Sequence, residues 1–190
     1  KPDGGGGGAA PPEGGGGGAN VLPARGARPR GPRHSAIAPM DVEATVSAVI
    51  HGKRLIYPIE SDFSPGLLAM ADAGRVETIL NHLVQNAIDA TDDGSPIRVS
   101  AARQDDWVAI RVTDKGCGMT EVFVANQLFK PFESTKSGGF GIGAYEARAL
   151  AQSLGGHLHV DSRIGKGTRM TLLLPAAKEA LQVNDIDEAA

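Results

Sequence analysis

Residues 75–91 carry apolar side chains at Val76, Ile79, Leu80, Leu83, Val84, Ala87 and Ile88. That spacing is helical, and it leaves a broad apolar stripe that is stable only when a second layer covers it. His82, Asn86 and Asp89 follow one another at intervals of four and three, so they share a different face, with Asn86 at its border with the stripe. A polar trio beside a buried stripe is either a site or a solvated edge. The helix by itself favours the edge.

The flanking segments supply the second layer. Residues 41–53 read as a helix with Val42, Val46, Val49 and Ile50 on one side and Asp41 as its N-cap. Residues 55–59 read as a short strand at a sheet edge, because Pro58 cannot donate to a ladder. Ser64-Pro65-Gly66 is a turn, and residues 67–71 are extended up to Asp72, which caps the striped helix. A turn at residues 92–96 ends that helix. Residues 97–103 and 107–113 form a predicted hairpin, with Val108, Ile110 and Val112 facing the core. Residues 120–136 show little periodicity. A further helix is expected over 142–154, stopped by Gly155-Gly156. Strands over 157–162 and 167–174 follow, the last stopped by Pro175. Paired strands separated by helices predict an α+β sandwich with a mixed, mostly antiparallel sheet and the helices packed on one face. They exclude a doubly wound sheet, in which strands and helices alternate singly.

Composition matters chiefly at the ends. Residues 1–31 contain two runs of five glycines, several prolines and almost no large apolar residue. Such a segment cannot bury enough surface to offset its ordering entropy. Residues 1–38 are therefore expected to be a linker or an expression scar, residues 39–176 one domain, and residues 177–190 a flexible acidic tail. A net charge of −3 argues against a nucleic-acid partner, although Arg25, Arg28, Arg30 and Arg33 make a basic run. Cys117 is the only cysteine, which fits a reducing, cytoplasmic compartment. No apolar run is long enough to span a membrane, so any anchor would belong to a parent protein.

Several positions have the chemistry of a nucleotide site. Gly139-x-Gly141-x-Gly143 opens a helix, where unpaired N–H groups and the positive end of the dipole favour phosphate. No Gly-Lys-Ser/Thr follows, and no strand leads directly in, so it is neither a Walker loop nor a dinucleotide fingerprint. Asp114 closes a core strand and begins Asp114-x-Gly116-x-Gly118. A carboxylate there accepts hydrogen bonds only, as an exocyclic amine requires. Leaving such a group unpaired when buried costs about 1–3 kcal/mol. Asn86 offers a hard carbonyl oxygen of the kind Mg²⁺ takes alongside phosphates and water. Lys136 precedes the second glycine loop as a mobile positive charge. Cys117 reads as a small filler between glycines. His157 and His159 alternate on a strand but have no third ligand at useful spacing, which sets a metal–histidine site aside. Each fragment alone is also an ordinary turn, wet amide or solvated lysine.

Together and in this order they resemble the catalytic, ATP-binding domain of bacterial sensor histidine kinases. That domain belongs to the group that includes gyrase, MutL-type repair proteins and a heat-shock chaperone family. Residues 80–91 resemble the N box, Asp114-x-Gly116-x-Gly118-Met119 the first glycine box, and Phe129-Lys130-Pro131-Phe132 the F box. Gly139-Phe140-Gly141-Ile142-Gly143 resembles the second glycine box, and Gly165-x-Gly167-Thr168 the closing element. The run around residues 129–146 is most similar to the PrsK-type kinases of PEP-CTERM systems. The resemblance implies ATP and Mg²⁺ as ligands, with Asn86 holding the metal and Asp89 ordering its waters. It implies Asp114, Gly118 and Thr168 around the adenine, and Lys136, Gly139, Gly141 and Gly143 at the phosphates. His82, Gly116, Met119, Phe129 and Ile142 would line the same site, residues 120–140 would be its lid, and Asn86 and Lys136 would act in catalysis.

Three positions depart from the family pattern. Asp89 stands where many of these kinases carry a basic residue, Phe140 where a threonine is common, and His82 where hydrolytic relatives place a glutamate base. Nothing before Asp41 has the heptads or the histidine signature of the family's phospho-acceptor. The expected partners are therefore a separate helical-hairpin dimerisation domain and a response regulator, with the isolated domain monomeric. An ATP hydrolase that uses nucleotide as a switch, or a degenerate nucleotide-binding module, is the alternative.

Overall fold

The computed structural model describes residues 36–131 and 142–177. In chain order the elements are β1 (Ala38–Asp41), α1 (Val42–Arg54), β2 (Ile59–Phe63), β3 (Leu68–Ala71), α2 (Ala73–Ala90), β4 (Ile97–Gln104), β5 (Trp107–Thr113), α3 (Glu121–Asn126), α4 (Gly143–Ser153), β6 (His157–Arg163) and β7 (Gly167–Pro175). A five-stranded sheet runs β2-β4-β5-β7-β6, and β1 pairs with β3 beside it. All ladders are antiparallel except β2 with β4. The three long helices lie on one face of the sheet, with α2 between α1 and α4. This is the expected α+β sandwich.

The alternation of each strand decides which face takes the helices. Ile97, Val99 and Ala101 of β4, Val108, Ile110 and Val112 of β5, and Met170, Leu172 and Leu174 of β7 are all buried. Opposite them lie the α2 residues Val76, Ile79, Leu80, Leu83, Val84 and Ala87. Burying a Leu or Ile side chain of this kind contributes about 1.5–3 kcal/mol, so the stripe fixes both the tilt and the rotation of α2. The inward residues of α4 are Ala144, Ala147 and Ala151, short enough to let it lie close against α2. Asp41 and Asp72 cap α1 and α2 by accepting from Ala44 N and Arg75 N.

Four sequence expectations change. The strand after α1 is residues 59–63 and not 55–59. The Leu55, Ile56 and Tyr57 N–H groups bond back to Gly52 O and Lys53 O, so the chain leaves α1 in a turn. Leu55 and Ile56 are 82% and 76% exposed, and pairing begins only past Pro58, whose carbonyl accepts from Ile97 N. The β1 strand was not anticipated; an edge position tolerates its Pro39. The parallel β2–β4 pair, made possible by the crossover of β3 and α2 between them, is the mixed part of the sheet and agrees with the expectation. Within the weakly periodic residues 120–136, α3 is nucleated by a cap, Thr120 Oγ1 accepting from Phe123 N, rather than by an apolar stripe. Residues 176 and 177 do not fray: Ala176 N donates to Asp106 O and Ala177 N to Leu68 O. The turn after α2 is held by Asp93, whose carboxyl lies below its ordinary pKa because the Ser95 N–H and hydroxyl donate to it.

Candidate functional site

The inward face of the sheet changes character along three adjacent strands. Val112, Met170 and Val160 stand in register across β5, β7 and β6 and belong to the core or pack against it. Two residues along, where the period of a strand returns to the same face, the row becomes Asp114, Thr168 and Ser162. Asp114 is 6% and Thr168 8% exposed. Asp114 Oδ1 accepts from Gly116 N at 2.9 Å and from Thr168 N at 3.1 Å. Thr168 Oγ1 lies 2.8 Å from Ser162 Oγ, which accepts from Met119 N at 2.8 Å. A polar row thus continues an apolar one along the same face of the sheet.

The loop after Asp114 is held by close backbone approaches. A Cβ on Gly116 would stand 2.1 Å from Ala90 O, and one on Gly118 1.9 Å from Arg163 O. Gly118 also has a φ of +67°, which an L side chain rarely adopts. Cys117 N donates to Ala90 O, and Gly165 N donates to Cys117 O. The glycines therefore let one loop touch the end of α2 and the β6–β7 turn at once. Cys117, exposed, contributes its backbone there. Tyr57 OH, near Thr91 O and Ser95 O, holds the end of α2 from the other side.

At the other end of the site α4 runs antiparallel to α2. Arg75 Nη1 donates to Ser153 Oγ near the far ends, and His82 Nε2 meets Glu146 Oε2 at 3.0 Å in the first turn of α4. A Cβ on Gly143 would lie 3.1 Å from His82 Nδ1, so glycine lets the start of α4 sit on the imidazole. The helix start is unlike the others. Asp41, Asp72 and Thr120 cap α1, α2 and α3, whereas Ile142 gives α4 no side-chain cap. Its first N–H groups are those an anion satisfies at other helix starts.

One turn past His82, Asn86 is half-buried, and no hydrogen bond to its side chain is present among the described residues. Asp89 is exposed and accepts from Gln85 Nε2 at 2.7 Å, and Gln85 in turn accepts from Lys53 Nζ. Phe129 packs on the core, with the Arg148 guanidinium 4.7 Å over its ring. Ile142 remains partly exposed.

The structure therefore groups the expected residues at two places along α2. Asp114, Gly116, Gly118, Met119 and Thr168 gather near its C-terminus, while Ile142 and Gly143 meet it at His82, midway along, with Asn86 one turn further on. Phe129 lies beneath α4. Lys136, Gly139 and Gly141, with Phe132 of the F box, lie outside the described residues. His157 makes tilted ring contacts with Trp107 and His159, and no group of three or more His, Cys, Asp or Glu able to hold a metal ion occurs among the described residues. Two residues were missed. Ser162 was legible, since the predicted β6–β7 hairpin places it across from Thr168. Glu146 was not, because only the packing of α4 on α2 brings it to His82.

Residues 71–178, more than half of the chain, match the family model of histidine kinase-, DNA gyrase B- and HSP90-like ATPases. Sporulation kinase B of Bacillus subtilis is 32% identical over 62% of this chain and 28% of its own length. The C4-dicarboxylate transport sensor protein DctS of Rhodobacter capsulatus is 36% identical over 60% of this chain and 18% of its own. The chain thus spans under a third of these relatives. Full-length ShkA, solved in complex with AMPPNP, superimposes with a TM-score of 0.66 at 26% identity, covering 76% of this chain and 32% of that one. The mycobacterial sensor histidine kinase MprB gives 0.67 at 19% identity over 74% of this chain and 98% of that one, a likeness of fold. Among the described residues no helix is long and apolar enough to cross a membrane. The chain belongs to the histidine kinase-, gyrase B- and HSP90-like ATPase family and carries an ATP-binding catalytic domain of the sensor histidine kinase type.

Proposed function

We propose that this domain binds Mg·ATP and passes the γ-phosphoryl group to a histidine on a helical-hairpin dimerisation domain of its parent protein, from which a response regulator takes it. The observation that carries the reading is the placement of α2. One helix borders both the uncapped start of α4, beside His82, and the Asp114–Gly118 loop, at Ala90. His82 and Ala90 are eight residues apart, or about 12 Å along a helix. A phosphate-type end and a base-type end therefore share one wall.

In this reading the Asp114 carboxylate accepts from the adenine amine, with Gly118 and Thr168 around the base. The N–H groups at Gly143, with Gly139, Gly141 and Lys136, take the phosphates. The Asn86 amide oxygen is a hard donor on a half-buried face and fits Mg²⁺, which would neutralise phosphate charge when bound; Asp89, one turn on, would order its waters. The acceptor imidazole forms the new N–P bond as the bond to the β-phosphate oxygen breaks and ADP leaves. The domain contributes positioning and charge neutralisation. The same proposal takes residues 39–176 as a cytoplasmic domain, monomeric when isolated, within a PrsK-type parent.

The test combines the chain with a hairpin domain from a candidate parent and γ-labelled ATP. Acid-labile label on the hairpin is the expected result. Free phosphate released by the chain alone would make it a hydrolase, and binding without either product would make it a nucleotide-binding module.

A further inference from the structure

We infer that the acidic residues 178–190 of this chain dock in the groove between α1 and α2. The groove holds about 330 Å³ and is lined by Ala48, Val49, Gly52 and Lys53 of α1 and by Glu77 and Asn81 of α2. Lys53 Nζ donates to Gln85 Oε1, so the two helices run in the same direction and Glu77 lies toward the start of α1. Ala48 and Gly52 are exposed, and a Cβ on Gly52 would meet nothing within 4 Å. No contact among the described residues thus calls for glycine at this position. Glycine inside a helix costs about 1 kcal/mol against alanine, and a segment lying over Gly52 supplies the reason for it. At the end of α1, Leu55 and Ile56 are 82% and 76% exposed, the most exposed large apolar side chains described.

The departure point, the reach and the charges select residues 178–190 as the occupant. Ala177 N donates to Leu68 O, and Leu68 pairs with Asp41, the cap of α1, so the chain leaves the described residues beside the first turn of that helix. From Val42 to Lys53 is about 17 Å along a helix, whereas Asp185, eight residues past Ala177, can lie up to about 26 Å away. The charges match in order along the groove. Lys178 comes first, at the end where Glu77 lies. Asp185, Asp187 and Glu188 come last, where His51, Lys53 and Arg54 make the last turn of α1 basic. Glu179 alone runs against that order. Leu181 and Val183 fall between and meet Ala48, Val49 and Gly52. Lys53 carries three donors and spends one on Gln85, which leaves donors for a carboxylate.

The experiment places a nitroxide at Asn184→Cys in the whole chain, with Cys117→Ser so that one thiol is labelled, and reads the paramagnetic broadening of backbone amides. Ala48, Gly52 and Asn81 are expected to lose most of their signal, while Gln152 of α4 and Thr171 of β7 keep theirs. Gly52→Leu fills the groove where a Cβ has room, so it should abolish the broadening with no fall in melting temperature. His51→Glu with Lys53→Glu should abolish it as well, and adding Asp185→Lys with Asp187→Lys should bring it back. Broadening on another surface, or on none, overturns the proposal. So does broadening of the groove that survives Gly52→Leu or the charge reversal. Broadening seen when the nitroxide and the observed amides are on separate, mixed chains assigns the groove to a second copy and overturns the proposal too.

Discussion

Gly116 and Gly118 lie where any side chain would strike the backbone of Ala90 and Arg163. Asn86 stands on a helix face whose main-chain bonds close without it. The proposed base-type end is thus made by chain segments touching one another, and its motif residues hold the fold together. The seam between α2 and α4 is made by side chains on helices that the core already positions. The comparison teaches that loss of binding carries different information at the two ends. At the glycine loop it reports lost structure first, and at Asn86 it reports lost chemistry.

The largest effect should come from Gly118→Ala. It adds a Cβ at 1.9 Å from Arg163 O and at a φ of +67°. Strain and overpacking together should cost about 2–4 kcal/mol. At about 2–4 °C per kcal/mol, thermal melting should fall by roughly 8 °C and nucleotide affinity should fall with it. An unchanged melt would show that the loop can move away from the β6–β7 turn, and the contrast between the ends would fail.

Asn86→Ala should behave in the opposite way. Melting should stay within about 2 °C, because a half-buried helix amide is replaced by a better helix former. Mg-dependent ATP affinity should fall about tenfold or more, against little change for metal-free ADP. Equal losses with and without the metal would remove Asn86 as its ligand.

The smallest effect belongs to His82→Ala. The His82–Glu146 contact is partly exposed on both sides. Such pairs contribute about 0–1 kcal/mol, so melting should drop by no more than about 4 °C and ATP affinity should stay within about threefold. A loss as large as that of Asn86→Ala, measured by calorimetry, would place His82 among the groups that touch the nucleotide.

Periodicity made most of the fold legible. The α2 stripe, the inward trio Val108, Ile110 and Val112, and the caps Asp41 and Asp72 follow from local patterns that the core rewards directly. The misses share a cause. Leu55 and Ile56 are apolar and read as a strand, but backbone bonding at the end of α1 keeps them in a turn. The α3 helix has a cap and no stripe, so an apolar period could not reveal it. The β1 strand is four residues long, below the length at which alternation shows.

The sequence by itself determined which residues would be polar at a buried strand end, where glycine would be needed, and that α2 would carry one buried face. These depend on side-chain chemistry and on spacing along one element. Only the tertiary structure decided which of them meet. Strand register set Thr168 beside Asp114. The antiparallel packing of α4 set Glu146 on His82. Such contacts join residues as much as 64 positions apart, where no local period reaches, and they are fixed only when the whole core closes.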